Sequence, residues 1–136
     1  MRIELIDLKK RYKEERTKIL KIIDKVLKKG HLVMTPEVSE FEKKITKYTQ
    51  SKYCCSLNSG TDALMMALWA LGIKKGDEVI TSSLSFFATV GAIAHVGAKP
   101  VLVDVNEDLN IDCDLIEKKI TKKTKVIMPV HWTGRM

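Results

Sequence analysis

The sequence predicts an α/β domain in which a mostly parallel sheet is covered by helices on both faces, preceded by two N-terminal helices. Two observations lead to this prediction. From residue 52 onward, short apolar runs alternate with helical stretches in the order βαβαβαβ, which is typical of a parallel sheet. In addition, residues 63–71 form a helix that is apolar all round. Such a helix is expected to be covered on every side, by the sheet and by a second subunit or a further part of the protein.

The two N-terminal helices follow from apolar spacing. Apolar residues between 18 and 29 recur at i, i+3, i+4, i+7 and i+8 and form one stripe, and Gly30 is placed to end this helix. A second helix is predicted after Thr35 and Pro36, because Thr can cap a helix and Pro fits its first turn. Its apolar positions, expected to be buried, are Val38, Phe41, Ile45 and Tyr48.

The remaining elements are predicted from the alternating pattern. Strands are expected at residues 53–57, 78–81, 100–103 and 125–130. Helices are expected at residues 61–71, 86–96 and 113–120, the first of them ended by Gly72. Residues 1–50 are therefore predicted to be a helical arm, and residues 51–136 the first part of the α/β domain.

Composition limits the classes of function. The chain has 136 residues, 45% of them apolar, which suits one cored domain or a piece of one. Most of the net charge of +7 lies in residues 1–50, which hold 14 Lys and Arg against 8 Asp and Glu. These basic residues alternate with apolar ones at helical spacing and with few aromatics, so we expect a solvated helix face and not a nucleic-acid site.

The expected location is the cytoplasm. No apolar run reaches the roughly 18 residues that a membrane span needs, and the first residues lack the apolar core of a signal peptide. The three cysteines do not form a disulfide framework, since Cys54 and Cys55 are adjacent and Cys113 has no obvious partner. We expect buried free thiols.

The most informative segment is Asn58-Ser59-Gly60-Thr61-Asp62-Ala63-Leu64, where the first predicted strand turns into the apolar helix. A helix start presents unpaired backbone N–H groups and the positive end of the dipole, which favour a phosphate. Gly60 allows close approach of an anion, and the Thr61 hydroxyl adds a donor. The alternative is a plain capped helix, because Ser59 and Asp62 resemble a capping box. The Asp62 carboxylate would repel phosphate unless it turns to solvent or caps the turn.

A second indication comes from Phe86 and Phe87, which follow the next predicted strand. Ligands of open parallel sheets bind at the carboxyl ends of the strands, and an aromatic ring there can stack on a planar cofactor. Two adjacent residues at a helix start face different ways. We therefore assign Phe86 to the pocket and Phe87 to the core.

Taken together, the motifs resemble the DegT/DnrJ/EryC1/StrS family of pyridoxal-phosphate (PLP) dependent sugar aminotransferases, in order and spacing, over essentially the whole chain. The matching segments are Gly30-His31, Pro36-Glu37-Val38, Phe41-Glu42, Asn58 to Leu64, Gly76-Asp77-Glu78-Val79-Ile80, Ser85-Phe86-Phe87-Ala88-Thr89, Gly97-Ala98-Lys99-Pro100 through Asp104-Val105, Asn110-Ile111-Asp112 and Pro129-Val130-His131.

The resemblance implies the large domain of a fold-type-I aminotransferase, incomplete at its C-terminus. It implies that the backbone at Gly60, Thr61 and Asp62 and the Thr61 hydroxyl bind the PLP phosphate, while the Phe86 ring stacks on the pyridine. It further implies a homodimer that transfers an amino group, typically from glutamate, to a nucleotide-linked keto-sugar. Two positions depart from the family pattern: Ser82 replaces a common proline and Thr35 a common glycine, which affects loop stiffness.

The same resemblance places the Schiff-base lysine and the carboxylate that holds the pyridine nitrogen beyond Met136. We therefore name no catalytic residue and expect this chain alone to be inactive. A dehydratase of the same family, in which histidine replaces that lysine, stays open, as does a truncated or binding protein without catalysis.

Three histidines and one aspartate are further candidates for site residues. A metal site is not expected, because His31, His95 and His131 lie far apart in the sequence. His95 is expected to be structural, whereas His131 follows a predicted strand and could face the substrate. Asp104 is adequately explained as the start of a turn.

Overall fold

The computed structural model describes residues 6–135, and the chain divides after Ser56 into two compact units. The first unit contains α1 (Leu8–Lys28) and α2 (Pro36–Thr49). The second contains α3 (Gly60–Ala70), β1 (Glu78–Ser82), α4 (Phe87–His95), β2 (Lys99–Val103), α5 (Cys113–Ile116) with a 3-10 turn at Glu117–Lys119, and β3 (Thr124–Met128). Within residues 6–135, none of the helices combines the length and apolarity needed to cross a membrane.

Helix α1 begins ten residues earlier than the apolar stripe predicts. The carboxylate of Asp7 accepts the N–H of Lys10 and caps this earlier start. An N-cap aspartate strongly indicates a helix start, and the apolar stripe does not include it. The predicted end is confirmed, because Gly30 follows the C-cap with a φ of +68°, which only glycine adopts without strain.

Helix α2 begins at Pro36 as predicted, but two expectations about it are wrong. The Thr35 hydroxyl makes no capping bond; the Thr35 carbonyl accepts the N–H groups of Val38 and Ser39 instead. No residue of α2 is buried, because residues 6–56 form only two helices and loops and provide no broad apolar layer. The expected core positions Val38, Phe41 and Tyr48 are exposed and Ile45 is half-buried.

Two side-chain contacts tie the first unit together. Lys29, at the end of α1, pairs with Glu37 in the first turn of α2, and this hydrogen bond lowers the pKa of Glu37 to about 2. The Glu42 carboxylate accepts the backbone N–H of Ser56 at 2.8 Å.

The predicted strand at residues 53–57 is absent. The segment is irregular, and the Ser56 amide is donated to a side chain and not to a neighbouring strand. Among the described residues, the sheet consists of β2, β1 and β3, and the segment pairs with neither edge strand. The apolar run that predicted a strand here therefore lies in irregular structure.

The cysteines are free, as expected, but the expectation that they are buried is wrong. Cys54 is half-buried, and Cys55 and Cys113 are exposed. Cys54 and Cys55 lie in the irregular segment, and Cys113 is the first residue of α5, so none of them has a layer of structure on both sides.

The second unit is built on a three-stranded parallel sheet in the order β2-β1-β3. Residue Glu78 of β1 lies opposite Lys99 of β2 and Thr124 of β3, and the pairing with β3 shifts by one residue after Glu78. Every residue of the central strand β1 is buried, as expected for a parallel strand with neighbours on both edges.

Helices cover both faces of this sheet, which confirms the predicted fold class. On one face, Val79 packs in a cluster with Leu68 of α3 and with Ala92 and Ile93 of α4. On the other face, Ile80 and Val103 pack with Ile111 and with Leu115 and Ile116 at α5. The alternation of Val79 and Ile80 between faces is the period of a strand.

Helix α3 ends before Gly72, as predicted, but it is covered on one face only. Leu68 is its single buried residue, whereas Met66, Trp69 and the following Leu71 are exposed. Residues 6–135 therefore do not supply the all-round cover that its composition predicts. The predicted helix at 113–120 is also shorter than expected, because α5 ends at Ile116 and continues as a 3-10 turn.

Candidate functional site

A cavity of about 510 Å³ lies beside the residues that follow β1 and β3, at the carboxyl edge of the sheet. Three separate segments line it: the start of α3, the start of α4, and the residues after β3. This is where ligands of open parallel sheets are expected. The lining residues are Gly60, Thr61, Leu64, Ser85, Phe86, Ala88, Thr89, Val130, His131 and Trp132.

The start of α3 forms the polar wall of this cavity. Ser59 is the N-cap, and its Oγ accepts the N–H of Asp62 at 3.0 Å and donates to the Asp62 Oδ2 at 2.9 Å. The N–H of Ala63 is donated to the Ser59 carbonyl at 3.1 Å. Among the described residues, the N–H groups of Gly60 and Thr61 have no acceptor, so these two amides are free to bind an anion.

Gly60 leaves open space in front of these amides. A Cβ built at this position would meet no atom within 4 Å. Packing within the protein therefore does not require a glycine at position 60. The lack of a side chain instead leaves the space in front of the helix N-terminus, the positive end of the dipole, open.

Phe86 forms the aromatic wall. It is the N-cap of α4, it lines the cavity, and its side chain is 63% exposed. The assignment of Phe87 to the core is wrong, since Phe87 is 75% exposed and its ring packs against that of Phe86 with centroids 4.4 Å apart. The buried face of α4 is instead made by smaller and later residues, Ala88, Thr89, Ala92 and Ile93.

The loop that carries Phe86 is held by hydroxyl groups. Ser82 Oγ both donates to the carbonyl and accepts the N–H of Leu84. Ser83 Oγ donates to the Asp104 carboxylate at 3.2 Å, and the backbone N–H of Ser83 donates to the carbonyl of Val103 in β2. Asp104 also accepts the N–H of Val105, which agrees with its predicted role at a turn.

Three of the four predicted cofactor residues, Gly60, Thr61 and Phe86, meet at one cavity although 25 residues separate the two segments. Asp62 is outside the lining, because its N–H and its carboxylate are both hydrogen-bonded to Ser59. The capping box therefore uses the amide of Asp62 and leaves the two preceding amides, those of Gly60 and Thr61, without an acceptor among the described residues.

The histidines occupy different surroundings. His131 lines the cavity, at the position after a strand that suggested a substrate-side role. His95 ends α4, with its ring 6.1 Å from that of Trp69. His31 belongs to the first unit. No group of three His, Cys, Asp or Glu side chains able to hold a metal occurs within the described part of the chain.

Sequence reasoning missed three prominent lining residues, Ser85, Thr89 and Trp132. Trp132 follows His131 after β3, so the strand-end rule that selected the histidine also applied to it. Ser85 and Thr89 flank Phe86 in the sequence. Their mutual contact spans one helical turn and depends on where α4 begins, which the sequence gives only to within a few residues.

The chain is similar to known proteins in sequence and in fold. A UDP-2-acetamido-2-deoxy-3-oxo-D-glucuronate aminotransferase from Pseudomonas aeruginosa is 42% identical over 134 residues, covering 98% of this chain and 37% of that protein. Among solved structures, S. venezuelae DesV in complex with a ketimine intermediate superimposes with a TM-score of 0.93 at 39% identity, covering 99% of this chain and 37% of that one.

A sugar aminotransferase from Streptococcus pneumoniae in its PLP form is similar as well, with a TM-score of 0.80 at 40% identity over 85% of this chain and 30% of that one. The match with this chain thus covers between 30% and 37% of the length of these three proteins. The DegT/DnrJ/EryC1/StrS aminotransferase family matches residues 13–136. Since that match covers all but the first twelve residues and agrees with the fold, the chain belongs to the DegT/DnrJ/EryC1/StrS aminotransferase family.

Proposed function

We propose that the chain is the N-terminal portion of a PLP-dependent aminotransferase that transfers an amino group to a nucleotide-linked keto-sugar, with glutamate as the expected donor. The observation that carries the proposal is the cavity in which Gly60 and Thr61 face the same space as Phe86. Membership of the family supports the reaction class, and the relative from Pseudomonas supports the class of substrate.

The residues of the cavity fit PLP on chemical grounds. A phosphate needs donors, and the free amides of Gly60 and Thr61 together with the Thr61 hydroxyl provide them at the positive end of α3. The carboxylate of Asp62, in the first turn of the same helix, is hydrogen-bonded to Ser59 and does not line the cavity. A planar heterocycle needs a flat apolar surface, which the Phe86 ring offers.

In the proposed mechanism, these residues hold and orient the cofactor. The amides of Gly60 and Thr61 anchor its phosphate, and Phe86 fixes the plane of its ring. PLP when bound supplies an electron sink for the amino transfer. The Schiff-base lysine and the carboxylate that keeps the pyridine nitrogen protonated are assigned to the remainder of the enzyme, so this chain contributes binding and orientation.

His131 and Trp132 are proposed to face the sugar substrate. Both line the cavity beyond the phosphate and ring positions, and they follow β3 at the same sheet edge. A histidine can donate or accept a hydrogen bond with a sugar hydroxyl, and the Trp132 ring can cover an apolar sugar face.

Homodimerisation is proposed on the same basis. The exposed side of α3 presents Met66 and Trp69, large apolar side chains that residues 6–135 leave uncovered. A second subunit or the remainder of the enzyme would bury them.

The proposal is tested on the full-length enzyme with PLP, glutamate and a UDP- or dTDP-linked keto-sugar. We expect 2-oxoglutarate and amino-sugar nucleotide in equal amounts, and a cofactor absorbance band that borohydride removes. Absence of a PLP spectrum would contradict the cofactor assignment. A PLP spectrum without turnover on any keto-sugar nucleotide would contradict the substrate class alone.

A further inference from the structure

We propose that Ser85 and Thr89 are positioning residues, whose hydroxyl pair fixes the backbone around Phe86 so that its ring forms a rigid wall of the cofactor cavity. This inference rests on the proposed function, since it assumes that the ring meets a cofactor.

The contact between the two hydroxyls is short and brackets Phe86. Ser85 Oγ and Thr89 Oγ1 lie 2.6 Å apart, one residue before and three residues after the aromatic position. The N–H of Thr89 is donated to the Phe86 carbonyl at 3.1 Å. Thr89 therefore holds the chain on both sides of Phe86, through its hydroxyl on one side and its amide on the other.

Phe86 needs such support because it is an unusual N-cap. Helix starts are normally stabilised by a Ser, Thr, Asp or Asn side chain that accepts an amide of the first turn. A phenylalanine cannot do this, and no side chain caps the start of α4 at Phe86. The Ser85 and Thr89 hydroxyls link the residue before the cap to the first turn, and so restrain this helix start although no side chain accepts its amides.

Thr89 connects this link to the rigid core. It is only 6% exposed and lies on the buried face of α4 beside Ala88, Ala92 and Ile93. The Phe86 ring, by contrast, is largely exposed and has no core packing to fix it. Because the Thr89 hydroxyl is held by the core, its hydrogen bond to Ser85 restrains the backbone at the edge of the cavity.

The loop before Ser85 is consistent with this role. Ser82 and Ser83 fix its first half through Leu84 and Asp104, and the bond to Thr89 fixes the last residue before the ring. With both ends held, the backbone at Phe86 is preorganised and the cofactor does not have to order it on binding.

The test measures the PLP dissociation constant and the induced circular dichroism of bound PLP in the full-length enzyme. Thr89→Val and Ser85→Ala each remove one hydroxyl, and we expect about fivefold weaker binding and a smaller dichroic band. The double variant should be no weaker than either single variant, because both remove the same bond. Thr89→Ser retains the hydroxyl and should restore binding.

The background of Phe86→Ala separates positioning from a general structural effect. Without the ring, Thr89→Val should change the dissociation constant by less than about twofold, because there is no wall left to position. The matched control is Thr121→Val, which removes a hydroxyl that donates to Glu78 Oε2 at 2.7 Å at the opposite end of the sheet. This control should destabilise the protein to a similar extent and leave PLP binding unchanged.

Several outcomes would overturn the inference. They are an unchanged dissociation constant in Thr89→Val, an equal loss in the Phe86→Ala background, or an equal loss in Thr121→Val. If the wild-type enzyme binds PLP tightly and Thr89→Val binds it equally well, the positioning role alone fails. If the wild-type enzyme binds no PLP, the proposed function fails and the inference fails with it.

Discussion

Ser59 and Asp62 hydrogen-bond to each other in both directions across the first turn of α3, with the Ser59 Oγ accepting the Asp62 amide at 3.0 Å and donating to the Asp62 carboxylate at 2.9 Å. A single serine thereby caps the helix and holds the carboxylate of Asp62, which lies in the same helical turn as the proposed phosphate position. These two residues link the cap to the proposed anion site.

Replacing Ser59 by alanine should therefore affect both stability and binding. We expect Ser59→Ala to lower the free energy of unfolding by about 1 kcal/mol, the usual cost of losing an N-cap. It should also weaken PLP binding, because the Asp62 carboxylate is released beside the anion. Urea unfolding and PLP titration measure the two effects, and Ser59→Thr should behave like the wild type. Unchanged stability in Ser59→Ala would contradict the observed cap.

Gly60→Ala should separate binding from folding. The added Cβ meets no protein atom within 4 Å, and alanine suits a helix better than glycine, so the free energy of unfolding should stay the same or rise. The methyl group would occupy the space in front of the free amides and weaken charge-assisted hydrogen bonds, giving roughly tenfold weaker PLP binding or more. Equal PLP affinity in Gly60→Ala and wild type would place the phosphate elsewhere.

Phe86 and Phe87 offer a matched pair of aromatic substitutions. Phe86→Ala should weaken PLP binding by about two- to tenfold, which corresponds to the ~0.5–1.5 kcal/mol typical of aromatic stacking. Phe87→Ala should have a smaller effect, since Phe87 does not line the cavity and its ring packs against that of Phe86. Titration of both variants with PLP under the same conditions measures the two effects. A larger loss of PLP affinity in Phe87→Ala than in Phe86→Ala would show that Phe87, and not Phe86, stacks on the cofactor.

Glu78 should make stability depend on acidity. The hydrogen bond from Thr121, with a further contribution from Lys99, lowers the pKa of Glu78 below its ordinary value of 4.5. A carboxyl with a lowered pKa in the folded state contributes stability that is present above pH 4.5 and lost as the pH falls through the folded value. Glu78→Gln should show a flatter dependence of the free energy of unfolding on pH below about 5, whereas identical profiles would show that Glu78 has no such role.

Residues 1–136 expressed alone should not catalyse transamination. The proposed lysine and the carboxylate for the pyridine nitrogen are outside this sequence, and the described lysines are not in the cavity lining. Formation of 2-oxoglutarate from glutamate, with PLP and a keto-sugar nucleotide, should equal that of free PLP. Turnover above that background would show that a residue of this segment performs the covalent chemistry.

The fold class and the family were predictable because their signals are distributed along the chain. Short apolar runs are typical of strands in a parallel sheet, and those of β1, β2 and β3 could be recognised on that basis. Glycines such as Gly30 and Gly72 indicate helix ends, because both adopt a positive φ there. The position of Phe86 at the cavity followed from the rule that ligands bind at strand carboxyl ends, since Phe86 comes after β1. Gly60 and Thr61 follow an irregular segment and no strand, so their position is explained by the exposed amides at the start of α3.

The wrong predictions share a physical cause, which is that burial and pairing depend on neighbours. Residues 53–57 have the composition of a strand but no partner among the described residues, and Phe87 is apolar yet lies outside the buried face of α4. The apolar face of α2 likewise lacks a facing layer. Local sequence indicates what a segment can do, whereas the tertiary surroundings determine whether it does so.

The residues that line the cavity come from the start of α3, the start of α4 and the segment after β3, and they meet only once β1 and β3 have paired and both helices have docked. A molecule that fits this space consequently recognises the assembled sheet and not any isolated segment. Binding would then draw the folding equilibrium toward the native state: a ligand at a hundred times its dissociation constant adds about 2.7 kcal/mol. A rise in melting temperature with ligand concentration would thus show that the ligand binds the folded sheet with its docked helices, and it would also measure the affinity.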